Sequence, residues 1–307
     1  MFDIISKRFR FFTISAVLIL ICIISLSSLG LKAGIEFSGG SQLTISFKED
    51  VELIELKQEL DNLGYGNAII QQVLGSGDFL VRTFEISDSE EAELVNELAV
   101  IFGPLDSRSD DISPITARET TNITTIAIAI AAVGIMLYVT WAFRRMPKPF
   151  RYGTCAIIAL LHDTLIALGV FSILSGILDW EVNLMFITGI LAVIGYSVNN
   201  TVVIFDRIRD NLSRSEDNNF GAVVNTSLTE SLTRSINTSL TTIIVVLALL
   251  LFVGSTIQNF AVVLMIGIIA GTFSSLFIAP LLLVVWENRE WLRFFRWLPL
   301  LKTNNRK

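Results

Sequence analysis

The sequence predicts an α-helical membrane protein with six spans and one ferredoxin-like α+β domain outside the membrane. Of its 307 residues, 52% are hydrophobic and 17% are charged, against about 25% charged in a typical soluble protein. Several charge-free runs reach the roughly 20 residues that a helix needs to cross a bilayer. A soluble enzyme or a disordered chain is therefore disfavoured. The net charge of −6 argues against a nucleic-acid partner, because such binders present a basic face.

The six apolar runs define the predicted domains. The first follows a basic start, and its length favours an uncleaved span over a signal peptide. The predicted spans are 11–31, 120–143, 152–178, 182–205, 235–253 and 257–286. The chain accordingly divides into an N-terminus with the first span (1–31), an outer domain (32–119), a membrane region (120–286) that includes a cytoplasmic loop (206–234), and a tail (287–307).

Lysine and arginine counts predict the orientation, because cytoplasmic segments are enriched in both. Of the 23 basic residues, 17 fall on the side of the two termini, and the other six lie within 32–118. The outer loops around Asp179 and Gly254 carry neither Lys nor Arg. We therefore expect a multi-pass protein of the plasma (inner) membrane with both termini in the cytoplasm.

The outer domain has a readable pattern of strands and helices. It carries 18 acidic residues against six basic ones, and none of its polar groups is arranged like a catalytic site. The order β-α-β-β-α-β is typical of a ferredoxin-like fold. The predicted elements are a strand at 41–47, a helix at 51–63 stopped by Gly64, strands at 67–74 and 78–84 joined by a Gly75-Ser76-Gly77 hairpin, a helix capped by Ser87 or Asp88 that runs to Phe102 and ends at Gly103-Pro104, and a strand at 111–117.

Polar side chains within the apolar runs are the candidate functional residues, because an ionisable group in a membrane is costly and usually faces the bundle interior. Because His162 and Asp163 are adjacent, we expect them to point to different sides of the third span, where bonding to neighbouring spans is an alternative to function. Arg234 opens the fifth span, where snorkelling to the headgroups is the alternative. The remaining candidates are Asn199, Asn200 and Thr238, the last of which shares a helix face with Arg234.

The sequence gives little support to catalysis or to a bound cofactor. Cys22 and Cys155 lie in apolar runs and are interpreted as small buried residues. A single histidine cannot build a multi-histidine metal site, and no phosphate-binding glycine motif is present. We expect no enzyme activity, no cofactor and no metal. Gly189, Gly195 and the Gly267-x-x-x-Gly271 spacing indicate faces where helices approach closely.

Four segments resemble the SecD/SecF family of protein-export membrane subunits. GIEFSGGSQL, with Gly34, Glu36, Gly39 and Gly40, is similar to the signature that follows the first span in both branches. ALLHDTLIALGVFSI (159–173), VIGYSVNNTVVIFDRIRDN (193–211) and SLTRSINTSLTT (231–242) resemble the SecF branch. The resemblance covers almost the whole chain in the same order.

The resemblance implies an accessory subunit of the Sec translocase. Such a subunit pairs with SecD, associates with the SecYEG channel and often YajC, and uses a proton or sodium gradient to promote late, post-ATP stages of preprotein export. It also implies that Arg234, Thr238 and the Asn199-Asn200 position serve ion coupling. One departure is that the family usually carries Asp where this chain has Asn200, and an amide does not exchange a proton near neutral pH. The resemblance then implies that the family's other carboxylate, on SecD, carries the proton, and that the opposite charge of Arg234 tunes the pKa of that carboxylate.

Two other classes remain open at this point. A stand-alone exporter half of the resistance-nodulation-division type would carry much larger outer domains. A membrane-anchored ligand sensor would suit a ferredoxin-like domain, but it would not need Arg234 or polar fourth and fifth spans.

Overall fold

The computed structural model describes residues 3–73, 77–144, 148–214, 219–252 and 257–290. Within these ranges, six helical segments are long and apolar enough to cross a membrane, which confirms the predicted number of spans. The membrane helices are α1 (Arg8–Ser28), α5 (Pro114–Ala142), α6 (Pro149–Leu178), α7 (Leu184–Arg214), α8 (Phe220–Phe252) and the consecutive pair α9 (Gln258–Phe277) and α10 (Ala279–Glu287).

Both ends of the described chain lie at the same end of the bundle. The Ile4 N–H donates to Asn225 Oδ1 of α8 at 2.9 Å. The Arg8 guanidinium pairs with Glu290 at 2.5 Å. This arrangement agrees with an even number of spans.

The segment 206–234, predicted as a loop, is mostly helical. Helix α7 continues to Arg214 and α8 already begins at Phe220, so the prediction is corrected. The charges that end the apolar run do not end the helix, because they bond across to the neighbouring helix. Arg207 Nε donates to Glu230 at 2.8 Å, and the Asn211 amide donates to Ser227 Oγ at 3.0 Å.

Two other helix boundaries differ from the prediction for local reasons. Helix α5 begins at Pro114, before the predicted boundary at 120, because Ser113 accepts the Thr116 N–H and a proline suits a first turn. The predicted span 257–286 is divided at Ile278, and Pro280 lies in the first turn of α10. Proline lacks the N–H that would continue the helix.

The outer domain has the predicted ferredoxin-like topology. Its sheet has the order β2-β3-β1-β4, and each neighbouring pair is antiparallel. Two helices cover one face of the sheet, and their apolar sides form a core with Leu43, Ile45, Phe79 and Val81. The elements are the short α2 (Ile35–Ser38), β1 (Gly40–Phe47), α3 (Leu53–Asn62), β2 (Ile69–Gln72), β3 (Phe79–Thr83), α4 (Asp88–Phe102) and β4 (Leu105–Ile112).

The last strand was predicted at 111–117 and is found at Leu105–Ile112. It pairs along its whole length with β1, from Gly40↔Ile112 to Phe47↔Leu105. Its residues are mostly exposed and polar, so no alternation of apolar residues marks it in the sequence. Polar side chains are the usual protection of an edge strand. Of the predicted hairpin, Gly75 and Ser76 lie outside the described residues.

Helix α4 begins with the cap that the sequence predicts. Ser87 accepts the Glu90 N–H, and the Glu90 carboxylate accepts the Ser87 N–H at 2.8 Å, which completes a capping box. These hydrogen bonds hold the pKa of the Glu90 carboxyl below its ordinary value of 4.5. Gly103, at φ +83°, ends the helix as predicted.

Candidate functional site

His162 and Asp163 are buried in the middle of the bundle, with 4% and 0% of their surfaces exposed. The prediction that they point to different sides of the helix is wrong. His162 Nδ1 and Asp163 Oδ1 are 2.8 Å apart, because both side chains turn into the same interior. The imidazole stacks on the Phe273 ring of α9, with the centroids 6.3 Å apart.

The Asp163 carboxylate joins three helices. Its Oδ2 atom accepts the hydroxyl of Ser197 on α7 at 2.5 Å and that of Ser274 on α9 at 2.6 Å. Its Oδ1 atom faces His162 on α6. Every hydrogen bond to the carboxylate therefore comes from within the bundle.

Asn200 belongs to the same polar region. Its amide nitrogen lies 2.5 Å from Ser275 Oγ, and Ser275 directly follows the Ser274 that bonds to Asp163. Asn199 is exposed on the other side of α7. The structure therefore brings Asn200 near the Asp163 network and separates it from Asn199.

The network depends on very close packing of α7 against α9. A Cβ atom on Gly267 would lie 2.0 Å from Val193 Cγ2, and one on Gly271 would lie 3.2 Å from Ser197 Cβ. Larger residues would move Ser197 away from Ser274 and Asp163. The predicted Gly267-x-x-x-Gly271 contact face is thus present.

Arg234 and Thr238 are both exposed on α8. Arg234 lies inside α8, which begins at Phe220, and directly precedes the predicted apolar span 235–253. It lines a cleft of about 430 Å³ between α7 and α8, together with Asp206, Asp210 and Glu230. Among the described residues, no carboxylate forms a salt bridge with Arg234. Glu230 is bonded instead to Arg207 and to the Asn211 amide.

The motif at the start of the outer domain forms a tight junction. Gly39 and Gly40 have φ angles of +77° and +128°, a region that disfavours other residues. A Cβ atom on Gly40 would lie 2.5 Å from the Thr83 carbonyl oxygen. These two glycines allow the chain to turn from α2 directly into the central strand β1.

Gly34 and its neighbours attach the outer domain to the loop between α6 and α7. Ala33 and Val182 form a parallel bridge. The Gly34 N–H donates to the Val182 carbonyl, and the Val182 N–H donates to the Lys32 carbonyl, both at 2.8 Å. We call this bridge, with the ion pair described next, the outer junction.

A buried ion pair at the outer junction was missed by the sequence analysis. Arg82 of β3 pairs with Glu181, and their side chains are 8% and 2% exposed. Burial lowers the pKa of Arg82, and the nearby Glu36 opposes that shift. The signal in the sequence was an arginine within the apolar strand FLVRT and a glutamate beside Trp180 in an outer loop without basic residues.

The described residues contain no group of three or more His, Cys, Asp or Glu side chains placed to hold a metal ion. Cys22 and Cys155 are free and buried, as predicted. The Cys22 thiol lies against Gly169 of α6 and 3.9 Å from the Ile166 carbonyl.

Comparisons with protein families match this chain twice. Residues 99–289 match the family described as protein export membrane protein SecD/SecF, C-terminal. Residues 24–51 match the SecD/SecF GG motif.

Among curated proteins, the chain is similar to protein translocase subunit SecF of Thermobaculum terrenum, at 41% identity over 96% of this chain and 97% of that protein. It is also 38% identical to the SecF subunit of Anaerolinea thermophila, with the same coverage of both chains.

Among solved structures, the chain is similar to SecDF of Thermus thermophilus, a translocon-associated membrane protein, with a TM-score of 0.83 and 29% identity. The similar region covers 94% of this chain but only 39% of the SecDF chain. A SecDF in a super-membrane-facing form matches with a TM-score of 0.64 and 28% identity.

Proposed function

Because the chain belongs to the SecD/SecF family of protein-export membrane proteins, and within it to the SecF subunits of protein translocase, we propose that it couples an ion gradient to preprotein export together with SecD. It promotes the late stages of export, after the ATP-driven motor has acted. It associates with the SecYEG channel and YajC, and both termini face the cytoplasm. Its role is transport, and it is not an enzyme.

The observation that carries this proposal is the exposed polar face of α7 and α8, formed by Asn199, Arg234 and Thr238. Arg234 lies about 21 Å along α8 from Phe220, at 1.5 Å per residue. Arg234 directly precedes the apolar run 235–253, so facing lipid there costs it less than the about 2.5–3.5 kcal/mol of an arginine at the centre of a span. This cost disappears when a partner covers the face with polar or acidic groups.

SecD is the partner that fits this face. In the Thermus thermophilus SecDF chain, the region similar to this protein is 39% of the whole, so most of that chain has no counterpart here. We propose that SecD supplies this counterpart and places a carboxylate against Arg234. The guanidinium suits that role because its planar fork binds carboxylates in two places.

The test measures export into vesicles that contain SecYEG, SecD and this chain, energised by a proton gradient alone or by a sodium gradient alone. Arg234→Ala should remove the gradient-dependent part of export while SecD still co-purifies. Arg234→Lys keeps the charge and should retain part of it. Arg118→Ala, which removes an exposed arginine at the outer end of α5, is the matched control and should be normal.

Two results would decide against parts of the proposal. Normal gradient-dependent export by Arg234→Ala would reduce this arginine to an interface anchor. Activity under sodium alone would instead indicate that sodium is the coupling ion, a hard cation that suits oxygen ligands such as the Asn200 amide.

A further inference from the structure

We infer that His162 and Asp163 together form a proton-binding site within the membrane, and that this site serves gradient-driven export. The inference rests on the proposed function for its role in export, but the proton site itself follows from the charges and hydrogen bonds of the pair. Two carboxylates are fully buried in the described part of the chain, Asp163 and Glu181. Glu181 is neutralised by Arg82 at the outer junction.

In the part of the chain that the structure describes, Asp163 has only His162 as a partner that can carry charge. Among the described residues, no lysine or arginine forms a salt bridge with it, and the imidazole is its one ionisable neighbour. The pair is therefore electrically neutral when it holds one exchangeable proton. Loss of that proton leaves a net charge of −1 and a second proton gives +1, both of which are unfavourable within a membrane.

Within the described ranges, the helices packed against α6 bring no other ionisable group to the pair. Helix α9 contains no ionisable side chain at all. Helix α7 contributes the neutral Ser197 and Asn200. The thiol of Cys22 on α1 is directed to the Ile166 carbonyl. The charged residues of α1, α5, α7 and α10 lie near helix ends, as in the pairs Arg8–Glu290, Arg207–Glu230 and Glu287 with Lys148 and Arg151, and in the exposed Arg118 and Glu119.

The hydrogen bonds accommodate the single proton in two positions. Ser197 and Ser274 both donate to Oδ2, which leaves Oδ1 to share the proton with His162 Nδ1 across 2.8 Å. The proton either stays on the imidazole, opposite an ionised carboxylate, or moves to Oδ1. His162 Nε2 is buried and has no hydrogen-bond partner among the described residues, so it is the ring nitrogen that remains free to exchange a proton.

The proton state of the pair has a mechanical consequence. An ionised carboxylate accepts hydrogen bonds more strongly than a neutral acid. Protonation of Asp163 therefore weakens the bonds to Ser197 and Ser274, which hold α7 and α9 against α6. Asn200 shares this helix contact through Ser275. Proton exchange at the pair thus changes how firmly these three helices are held together.

The first measurement does not depend on export. Infrared difference spectra of the purified SecD complex, recorded between about pH 5 and 9, should show a carboxyl or carboxylate band that changes with pH in the native chain and is lost in Asp163→Asn. Thr164→Val, at the next position of α6, should keep the band. If no pH-dependent band is lost in Asp163→Asn, the proton site is refuted.

The second measurement is export driven by a proton gradient. Asp163→Asn should lose the gradient-dependent part of export while keeping SecD bound. Asp163→Asn combined with Asn200→Asp should regain part of it, because the new carboxylate lies in the same serine-linked contact. Normal export by Asp163→Asn overturns the inference. The inference is also overturned if Asn200→Asp restores no export in the Asp163→Asn chain and no infrared band changes with pH.

If Asp163→Asn fails to assemble with SecD, His162→Gln takes its place. It removes the group that shares the proton and should change the pH profile of export, and an unchanged profile refutes the inference. If the native complex responds to neither gradient, the proposed function fails, and the infrared band still decides whether the pair binds a proton.

Discussion

Replacing Arg82 by methionine should detach the outer domain from the membrane helices. The side chains are similar in length, but the methionine leaves Glu181 buried and without its counter-charge. Removing one partner of a buried ion pair costs about 3–5 kcal/mol. The two backbone hydrogen bonds of the outer junction contribute only about 0.5–1.5 kcal/mol each. Breaking the ion pair from one side is thus the most damaging single change at this junction.

A matched control is available at the same junction. Lys32 pairs with Asp179, but both side chains are substantially exposed, at 39% and 48%. An exposed ion pair contributes about 0–1 kcal/mol. Lys32→Ala should therefore have little effect. The double variant Arg82→Met, Glu181→Leu should recover much of the loss, because it leaves no unpaired buried charge at Glu181.

The assay is a disulfide between cysteines introduced at Ala33 and Val182, which form the parallel bridge. Crosslinking should be rapid in the native background and with Lys32→Ala, and slow with Arg82→Met. The native cysteines are buried and free, so they do not compete. Equal crosslinking in Arg82→Met and Lys32→Ala, or no recovery in the double variant, would refute this account of the outer junction.

Two further predictions concern packing and the outer domain. Gly267→Ala forces a methyl group to within 2.0 Å of Val193 Cγ2, so it should destabilise the bundle by about 1–3 kcal/mol. The control Gly195→Ala meets no atom of the described residues within 4 Å and should leave the thermal unfolding temperature in detergent nearly unchanged. Equal unfolding temperatures for the two variants would contradict the packing argument. Residues 35–118 should fold alone, with a mixed α/β circular dichroism spectrum. Because the folded pKa of Glu90 lies below its ordinary 4.5, its contribution to stability is present above that value and is lost as the pH falls through the folded pKa. Glu90→Gln should therefore lower denaturant stability more at pH 7 than in acid. A disordered spectrum or a pH-independent effect would be the opposing result.

The number of spans and the topology of the outer domain were predictable because they depend on local patterns. Runs of apolar residues marked each span, alternation marked β1, and a glycine-rich hairpin signal marked β2 and β3. The capping box at Ser87 needed only the spacing of a serine and a glutamate three residues later. These features hold whichever tertiary contacts form around them, so the sequence alone sufficed for them.

The predicted ends of helices and strands were wrong where long-range contacts override the local pattern. Helix α7 continues past its apolar run because Arg207 and Asn211 bond to α8. Strand β4 is polar and exposed, and only its pairing with β1 makes it a strand. The partners of α7 on α8 and of β4 on β1 are distant in sequence, so the composition of a short window could not reveal these contacts.

The contacts between buried polar side chains were also not predictable from local sequence. Arg82 and Glu181 are far apart in the chain, and nothing local indicates that they meet. His162 and Asp163 were singled out, but side-chain torsions decided that they bond to each other, and helix periodicity does not determine torsions. Helix position predicts the direction of a Cβ atom, whereas the end of a long side chain can turn back toward its neighbour.

The serines of α9 explain how the bundle accepts a neutral residue at Asn200. Ser274 and Ser275 are consecutive, so one bonds to Asp163 and the other to Asn200. An amide at position 200 keeps this contact without adding a charge. A carboxylate there would be a second negative group reaching the same helix contact as Asp163, and like charges that share a site disfavour ionisation of both. One carboxylate, paired with His162 and held by two hydroxyls, gives the membrane interior a single exchangeable proton and avoids that conflict. The residue at position 200 and the buried pair are therefore best understood together, as one arrangement of charge across α6, α7 and α9.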